Sequence, residues 1–165
     1  MNRIILSRIH SLCLAVVVTA LAACSSTVPN MKPLTESALA DAERMWKAHG
    51  TNSYEIVVQL NPAKLSAMTY DVVVRDGKIT GVKRDGQDVR PENTEDYSVL
   101  GLFGLLRQEL RLTEKDANGM AKELADLFVR FDPETGRLDR YRRQTNRLAG
   151  SLRIEVLKYQ PLPQT

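Results

Sequence analysis

The spacing of apolar residues changes repeatedly along this chain, and each change marks an element. Leu39, Ala42 and Trp46 recur at helical intervals after Thr35, a residue suited to an N-cap, and Gly50 stands where a left-handed C-cap belongs. Tyr54, Ile56, Val58 and Leu60 then alternate with Glu55, Val57 and Gln59, the period of a strand buried on one side, and Asn61-Pro62 is expected to stop it. Met68, Tyr70, Val72 and Val74 repeat the alternation. Asp76-Gly77 supplies the positive-φ pair of a two-residue hairpin turn, which returns the chain through Lys78 to Lys83. These strands predict a three-stranded antiparallel meander.

Residues 84–96 are rich in turn formers and acids and read as a surface loop. Ser98 suits the cap of a second helix, in which Val99, Leu102, Phe103, Leu106 and Leu110 form one apolar stripe. Gly101 and Gly104 lie beside that stripe at a cost of about 1 kcal/mol each relative to Ala, and close packing against a sheet would explain them. Thr113 suits the cap of a further short helix carrying Ala117, Met120, Ala121 and Leu124. Leu127 to Asp132 reads as a strand, Asp132-Pro133-Glu134-Thr135-Gly136 as a turn with Gly136 left-handed, and Arg137 to Gln144 as the returning strand. After a loop at 145–150, Leu152, Ile154 and Val156 alternate as a last strand, and Pro161 and Pro163 end the pattern. The expected order is helix, three strands, helix or helix pair, three strands. That order predicts an α+β fold with helices packed on one face of an antiparallel sheet.

The N-terminus follows a different logic. Arg3 and Arg8 precede an apolar run from Leu12 to Ala23, the pattern of a secretion signal. The run is shorter than the ~20 apolar residues that a membrane-spanning helix needs. Its end, Leu21-Ala22-Ala23-Cys24, resembles the lipobox of bacterial lipoproteins. The resemblance implies cleavage before Cys24, diacylglycerylation of its thiol, acylation of the new amine, and a membrane partner held through those acyl chains. Ser25 after the cysteine resembles the outer-membrane sorting default. The competing reading is ordinary cleavage at Ala20-Leu21-Ala22, which would release a chain with a free thiol. Organisation is thus expected as a signal at 1–23, a flexible tether at 24–34 containing Pro29 and Pro33, one α+β domain at 35–160, and a tail at 161–165.

Processing changes how the composition reads. The chain carries a net charge of +3, but losing Arg3 and Arg8 with no acid removes most of that excess, so global charge gives no argument for nucleic acid. Cys13 leaves with the signal and Cys24 takes the lipid, which leaves no thiol for disulfides or metal sites. His49 is then the remaining imidazole, at a helix end where a cation suits the dipole. No metal or cofactor is expected.

Trp46 followed by Tyr54, then Val72-Val73-Val74-Arg75-Asp76-Gly77, Leu102-Phe103, and Val129-Arg130-Phe131-Asp132 with Gly136, is similar to a family of small bacterial lipoproteins of unknown function. The resemblance spans most of the processed chain and implies an envelope location with no assigned activity.

Candidate chemistry is sparse. Ala149-Gly150-Ser151-Leu152 only brushes against the G-x-S-x-G nucleophile pattern. Asp85/Asp88 and Asp132/Glu134 are paired acids in turns, and a carboxylate-based hydrolase would require such acids to converge in a cleft. Arginine is the more unusual signal: residues 130–153 contain Arg130, Arg137, Arg140, Arg142, Arg143, Arg147 and Arg153 and no lysine. Arg140 and Arg142 should share one strand face, with Arg137 and Arg143 on the other. Guanidinium forks suit phosphate and carboxylate, so Arg137, Arg140, Arg142 and Arg143 are candidates for anion binding. The alternative is a solvated face whose arginines pair with the acidic loop at 85–96. Together these features point to a lipid-anchored, non-catalytic binding or assembly module of the cell envelope, on the outer membrane and facing the periplasm. Its partner would be an envelope protein or polyanion.

Overall fold

A computed structural model describes residues 30–114, 124–146 and 150–163. Helix α1 spans Glu36–His49 and α2 spans Val99–Thr113. The strands are β1 (Lys32–Pro33), β2 (Tyr54–Pro62), β3 (Met68–Arg75), β4 (Lys78–Arg84), β5 (Gln87–Val89), β6 (Ala125–Phe131), β7 (Leu138–Thr145) and β8 (Leu152–Pro161). All pair antiparallel in one eight-stranded sheet, in the order β1-β6-β7-β8-β2-β3-β4-β5. Each long meander keeps its own sequence order, and the first strand of one joins the last strand of the other as β2 against β8.

Alternation decides the layers. Ile56, Val58 and Leu60 of β2, Tyr70, Val72 and Val74 of β3, Tyr141 of β7 and Ile154 of β8 are buried. They form a single core with Leu39, Ala42 and Trp46 of α1 and Leu102, Phe103 and Leu106 of α2. One face of the sheet is therefore covered by both helices, and the intervening residues make the open face. Thr35 and Ser98 cap their helices as expected, accepting hydrogen bonds from Ala38 N at 3.1 Å and Gly101 N at 3.2 Å. The buried Tyr54 hydroxyl accepts from Val99 N at 3.1 Å, which ties the start of α2 to β2. Trp46 packs edge-on against Tyr54 and Tyr159, with ring centroids 5.6 and 6.0 Å away.

The α+β class stands, but the element order differs from the expected one. Two short strands close the sheet edges. Lys32–Pro33, inside the stretch that composition assigns to a tether, pairs with Val129 and Phe128, and Leu34 N donates to Leu127 O at 2.9 Å. Within the acidic stretch expected to be loop, Asp85-Gly86 makes a second positive-φ turn (50° and 82°) and returns the chain as β5, followed by a 3-10 turn at Pro91–Asn93. Asn61 and Pro62 do not stop β2: both pair with β8 beyond the last partner on β3, where a missing N–H is tolerated. Leu162 N bonds to Ser53 O at 2.9 Å, so order persists past the expected tail boundary.

Three local expectations are corrected as well. Gly50 is extended, with φ −73°, and is not left-handed; a Cβ there would collide with the Trp46 ring and carbonyl oxygen. Gly101 faces the Asp96 carbonyl of its own capping loop, while the space beside Gly104 is open, so neither glycine serves packing against the sheet. Thr113 is the last residue of α2 and not a residue ahead of a helix start, its hydroxyl donating to Leu110 O at 2.9 Å. Ala117, Met120 and Ala121 of that expected helix lie outside the described residues, as do the signal segment and Cys24.

Candidate functional site

Cross-strand register sorts the open face into rows. One row runs Arg130, Arg140, Glu155, Gln59 across β6, β7, β8 and β2. The next runs Phe128, Arg142, Arg153, Asn61 across the same strands. In the first row every arginine has a carboxylate: Arg140 meets Glu155 at 2.5 Å, and Arg130 meets Asp139 at 3.4 Å. Farther along the face Lys158 meets Glu55 at 3.0 Å. In the second row Arg142 and Arg153 stand directly opposite each other, and neither has an ion-pair or hydrogen-bond partner among the described residues. Directly opposed like charges destabilise a sheet.

This pair lines a cleft of about 530 Å³, whose walls also include Asn61, Asn146 and Ser151. Arg143 reaches the same cleft from the helix side but is committed elsewhere. Its Nη1 donates to both carboxylate oxygens of Glu109 on α2 at 3.1 Å, and its Nε donates to Gly150 O at 2.6 Å. That arrangement pins the β7–β8 hairpin to α2. Asn61 lies opposite Arg153 and donates through Nδ2 to Gln59 Oε1 at 3.1 Å.

Arg137 is likewise structural. It bridges Asp132 at 3.2 Å and Asp139 at 2.5 Å, with its guanidinium 5.0 Å above the Tyr159 ring. Burial would raise the Asp132 pKa, but hydrogen bonds from Thr135, the Arg137 charge and the Glu134 N–H together hold it below the usual value of 3.8. Burial raises the Tyr159 pKa, and that of Tyr54, against the same kind of opposition.

Of the four candidate arginines, only Arg142 has no ion-pair or hydrogen-bond partner among the described residues. Arg137 and Arg143 are held on the helix side and Arg140 is paired with Glu155. Sequence reasoning missed Arg153 as a site residue, although the signal was present: Arg142 and Arg153 are equidistant from the middle of the loop expected at 145–150. The acidic loop does not supply the arginines' partners. Asp85 and Asp88 lie by Arg84 and Lys83 at 3.8 and 3.9 Å, at the sheet edge remote from β6 and β7.

The turn carboxylates do not converge. Asp85 Oδ1 accepts from Thr69 N at 2.8 Å in the β4–β5 turn. Asp132 Oδ1 accepts from Thr135 N and Oγ1 at 2.8 and 2.7 Å in the β6–β7 turn, at the other end of the strand order. Each acts as a local turn former. Ser151 Oγ accepts from Thr145 N at 3.5 Å, and among the described residues the one imidazole, His49, is exposed in the last turn of α1. Among the described residues no three His, Cys, Asp or Glu side chains group to hold a metal, and no helix is long and apolar enough to cross a membrane. A second concavity of about 640 Å³ lies between the helices, beside Trp46, Leu100 and Phe103, and is bridged by the Glu43–Arg107 ion pair.

No family model and no curated protein matches the chain. Among solved structures, the crystal structure of MucB in complex with MucA(peri) is similar to it at 12% identity and a TM-score of 0.39, over 76% of this chain and 56% of that one. This chain thus spans little more than half the length of that chain.

Proposed function

We propose that this protein is a lipid-anchored, non-catalytic binding module of the bacterial cell envelope, held through acyl chains on Cys24 at the outer membrane and facing the periplasm. It docks a polyanionic envelope partner with the Arg142–Arg153 end of its open sheet face. The observation that carries this reading is the row in which Arg142 and Arg153 stand opposed with no carboxylate partner among the described residues, one row from arginines that are each paired with an acid. Two opposed guanidiniums raise the energy of the empty protein, and an anion between them turns that repulsion into attraction. The anchor rests on Leu21-Ala22-Ala23-Cys24, with acylation by more than one chain giving stable attachment.

The placement of the elements supports the same picture. Strands β6, β7 and β8, which carry the arginines, form the half of the sheet next to β1, where the chain arrives from the anchor. Both helices lie on the other face, so neither covers the arginine row. Fractionation of cells expressing the full chain tests both halves of the proposal. Cys24→Ala should shift the protein from membrane to soluble fractions. Arg142→Gln with Arg153→Gln should keep it lipidated but abolish salt-sensitive retention of its partner. Unchanged processing and fractionation of the Cys24 variant would refute the anchor, and unchanged retention in the arginine variant would refute the docking face.

A further inference from the structure

We infer that the Arg142–Arg153 cleft takes a dianionic phosphomonoester group; this rests on the polyanion-docking reading of the same site and narrows it. The charge count comes first. Among the described residues that line the cleft, Arg143 is matched by Glu109, while Arg142 and Arg153 have no carboxylate, since Glu155 is taken by Arg140. A monoanion such as a carboxylate or a phosphodiester leaves one of them uncompensated. A phosphomonoester carries close to two negative charges near neutral pH and matches both.

Donor geometry agrees with the charge. Each guanidinium presents parallel N–H groups in a planar fork, and a carboxylate has two oxygens, enough to fill one fork. A phosphomonoester offers three terminal oxygens, so two forks can engage it at once, and the second Nδ2 hydrogen of Asn61, beside Arg153, adds a neutral donor. Arg142 and Arg153 are held at fixed spacing by strand pairing and not by mutual contact, which preorganises the forks without a ligand. The cleft, about 530 Å³, has the size of a small-molecule site, with room for part of whatever carries the phosphate.

The test is calorimetric titration of the full chain with inorganic phosphate, dimethyl phosphate and acetate. Phosphate should bind at least about tenfold tighter than either monoanion, as expected where charge-assisted bonds are doubled. Arg142→Gln or Arg153→Gln should each remove the preference, and Arg142→Lys, which keeps the charge without the fork, should reduce it. Lys78→Gln, at the far side of the sheet, should change nothing. Phosphate binding no tighter than dimethyl phosphate, or binding that survives both Gln variants, would overturn the inference.

The source of the phosphate is read in a second arm, by co-sedimentation with vesicles containing phosphatidic acid or phosphatidylglycerol, to which an acyl anchor contributes equally. Enrichment on phosphatidic acid supports a lipid headgroup monoester, while equal sedimentation alongside phosphate binding supports a soluble phosphoester. Failure here is distinct from failure of the docking reading. If phosphate shows no preference while the double arginine variant still loses its envelope partner, the dianion assignment falls and polyanion docking stands. If phosphate binds through both arginines but partner retention is unchanged in the variant, the docking reading falls and the phosphate site stands.

Discussion

Arg142 and Arg153 face each other across β7 and β8 with no carboxylate between them, while one row away Arg140 is 2.5 Å from Glu155. Across β7 and β8 the two pairs differ in one residue, an acid on β8 in one and an arginine in the other. Replacing either member of the like-charged pair should therefore relieve repulsion. Arg142→Gln or Arg153→Gln is expected to raise stability by about 0.2–1 kcal/mol in low salt, and the gain should shrink as salt is added. Urea unfolding at two ionic strengths measures this; a loss of stability in both variants would contradict the row arrangement.

Arg143 should behave in the opposite way. Its side chain is 19% exposed and that of Glu109 is 10% exposed, so removing the guanidinium strands a largely buried carboxylate. Arg143→Gln is expected to cost about 3 kcal/mol and to release the β7–β8 hairpin from α2. Denaturant midpoints together with hydrogen exchange at Tyr141 and Arg143 would report both effects.

The two glycines of α2 make a matched pair. A Cβ at Gly104 meets nothing within 4 Å, so Gly104→Ala should stabilise the protein by about 0.5–1 kcal/mol through helix propensity and reduced freedom of the unfolded chain. A Cβ at Gly101 would overlap the Asp96 carbonyl and carboxylate oxygens, so Gly101→Ala should destabilise it. Thermal melts of the two variants that moved in the same direction would contradict the capping-loop geometry.

Asp132 links the fold to pH. Its carboxyl ionises below the usual 3.8 in the folded state, so its contribution is present above that pH and is lost as pH falls through the lower native value. Asp132→Asn should lower the unfolding midpoint at neutral pH, and the gap from wild type should close as the solution becomes strongly acidic. Melting curves across an acid titration check the convergence; a gap that stayed constant would assign Asp132 a role independent of its charge.

Much of the architecture was legible where one local signal sufficed. Thr35 and Ser98 mark helix starts by their hydroxyls, Asp76-Gly77 marks a hairpin by its positive φ pair, and the alternation through Tyr54 to Leu60 names the buried face. The short edge strands were not legible. Gln87–Val89 has no room for alternation, and Lys32–Pro33 is a strand only because β6 lies alongside it. The arginine site lay between these cases. The arginine excess is visible in the sequence, but the cancellation of Arg137 by Asp132 and Asp139, of Arg140 by Glu155 and of Arg143 by Glu109 depends on register and on a helix brought over the sheet. Only those pairings separate the structural arginines from the two left open among the described residues, Arg147 lying outside them.

The central claim is that two specific arginines, and not the general positive charge of the chain, meet a polyanion. Elution of the protein from immobilised phosphocellulose along a salt gradient tests it most directly. The comparison is between Arg142→Gln/Arg153→Gln and an equally discharged control, Arg111→Gln/Lys78→Gln, at exposed positions off the cleft. The cleft variant should elute at markedly lower salt while the control stays near wild type; equal shifts in both would contradict the claim.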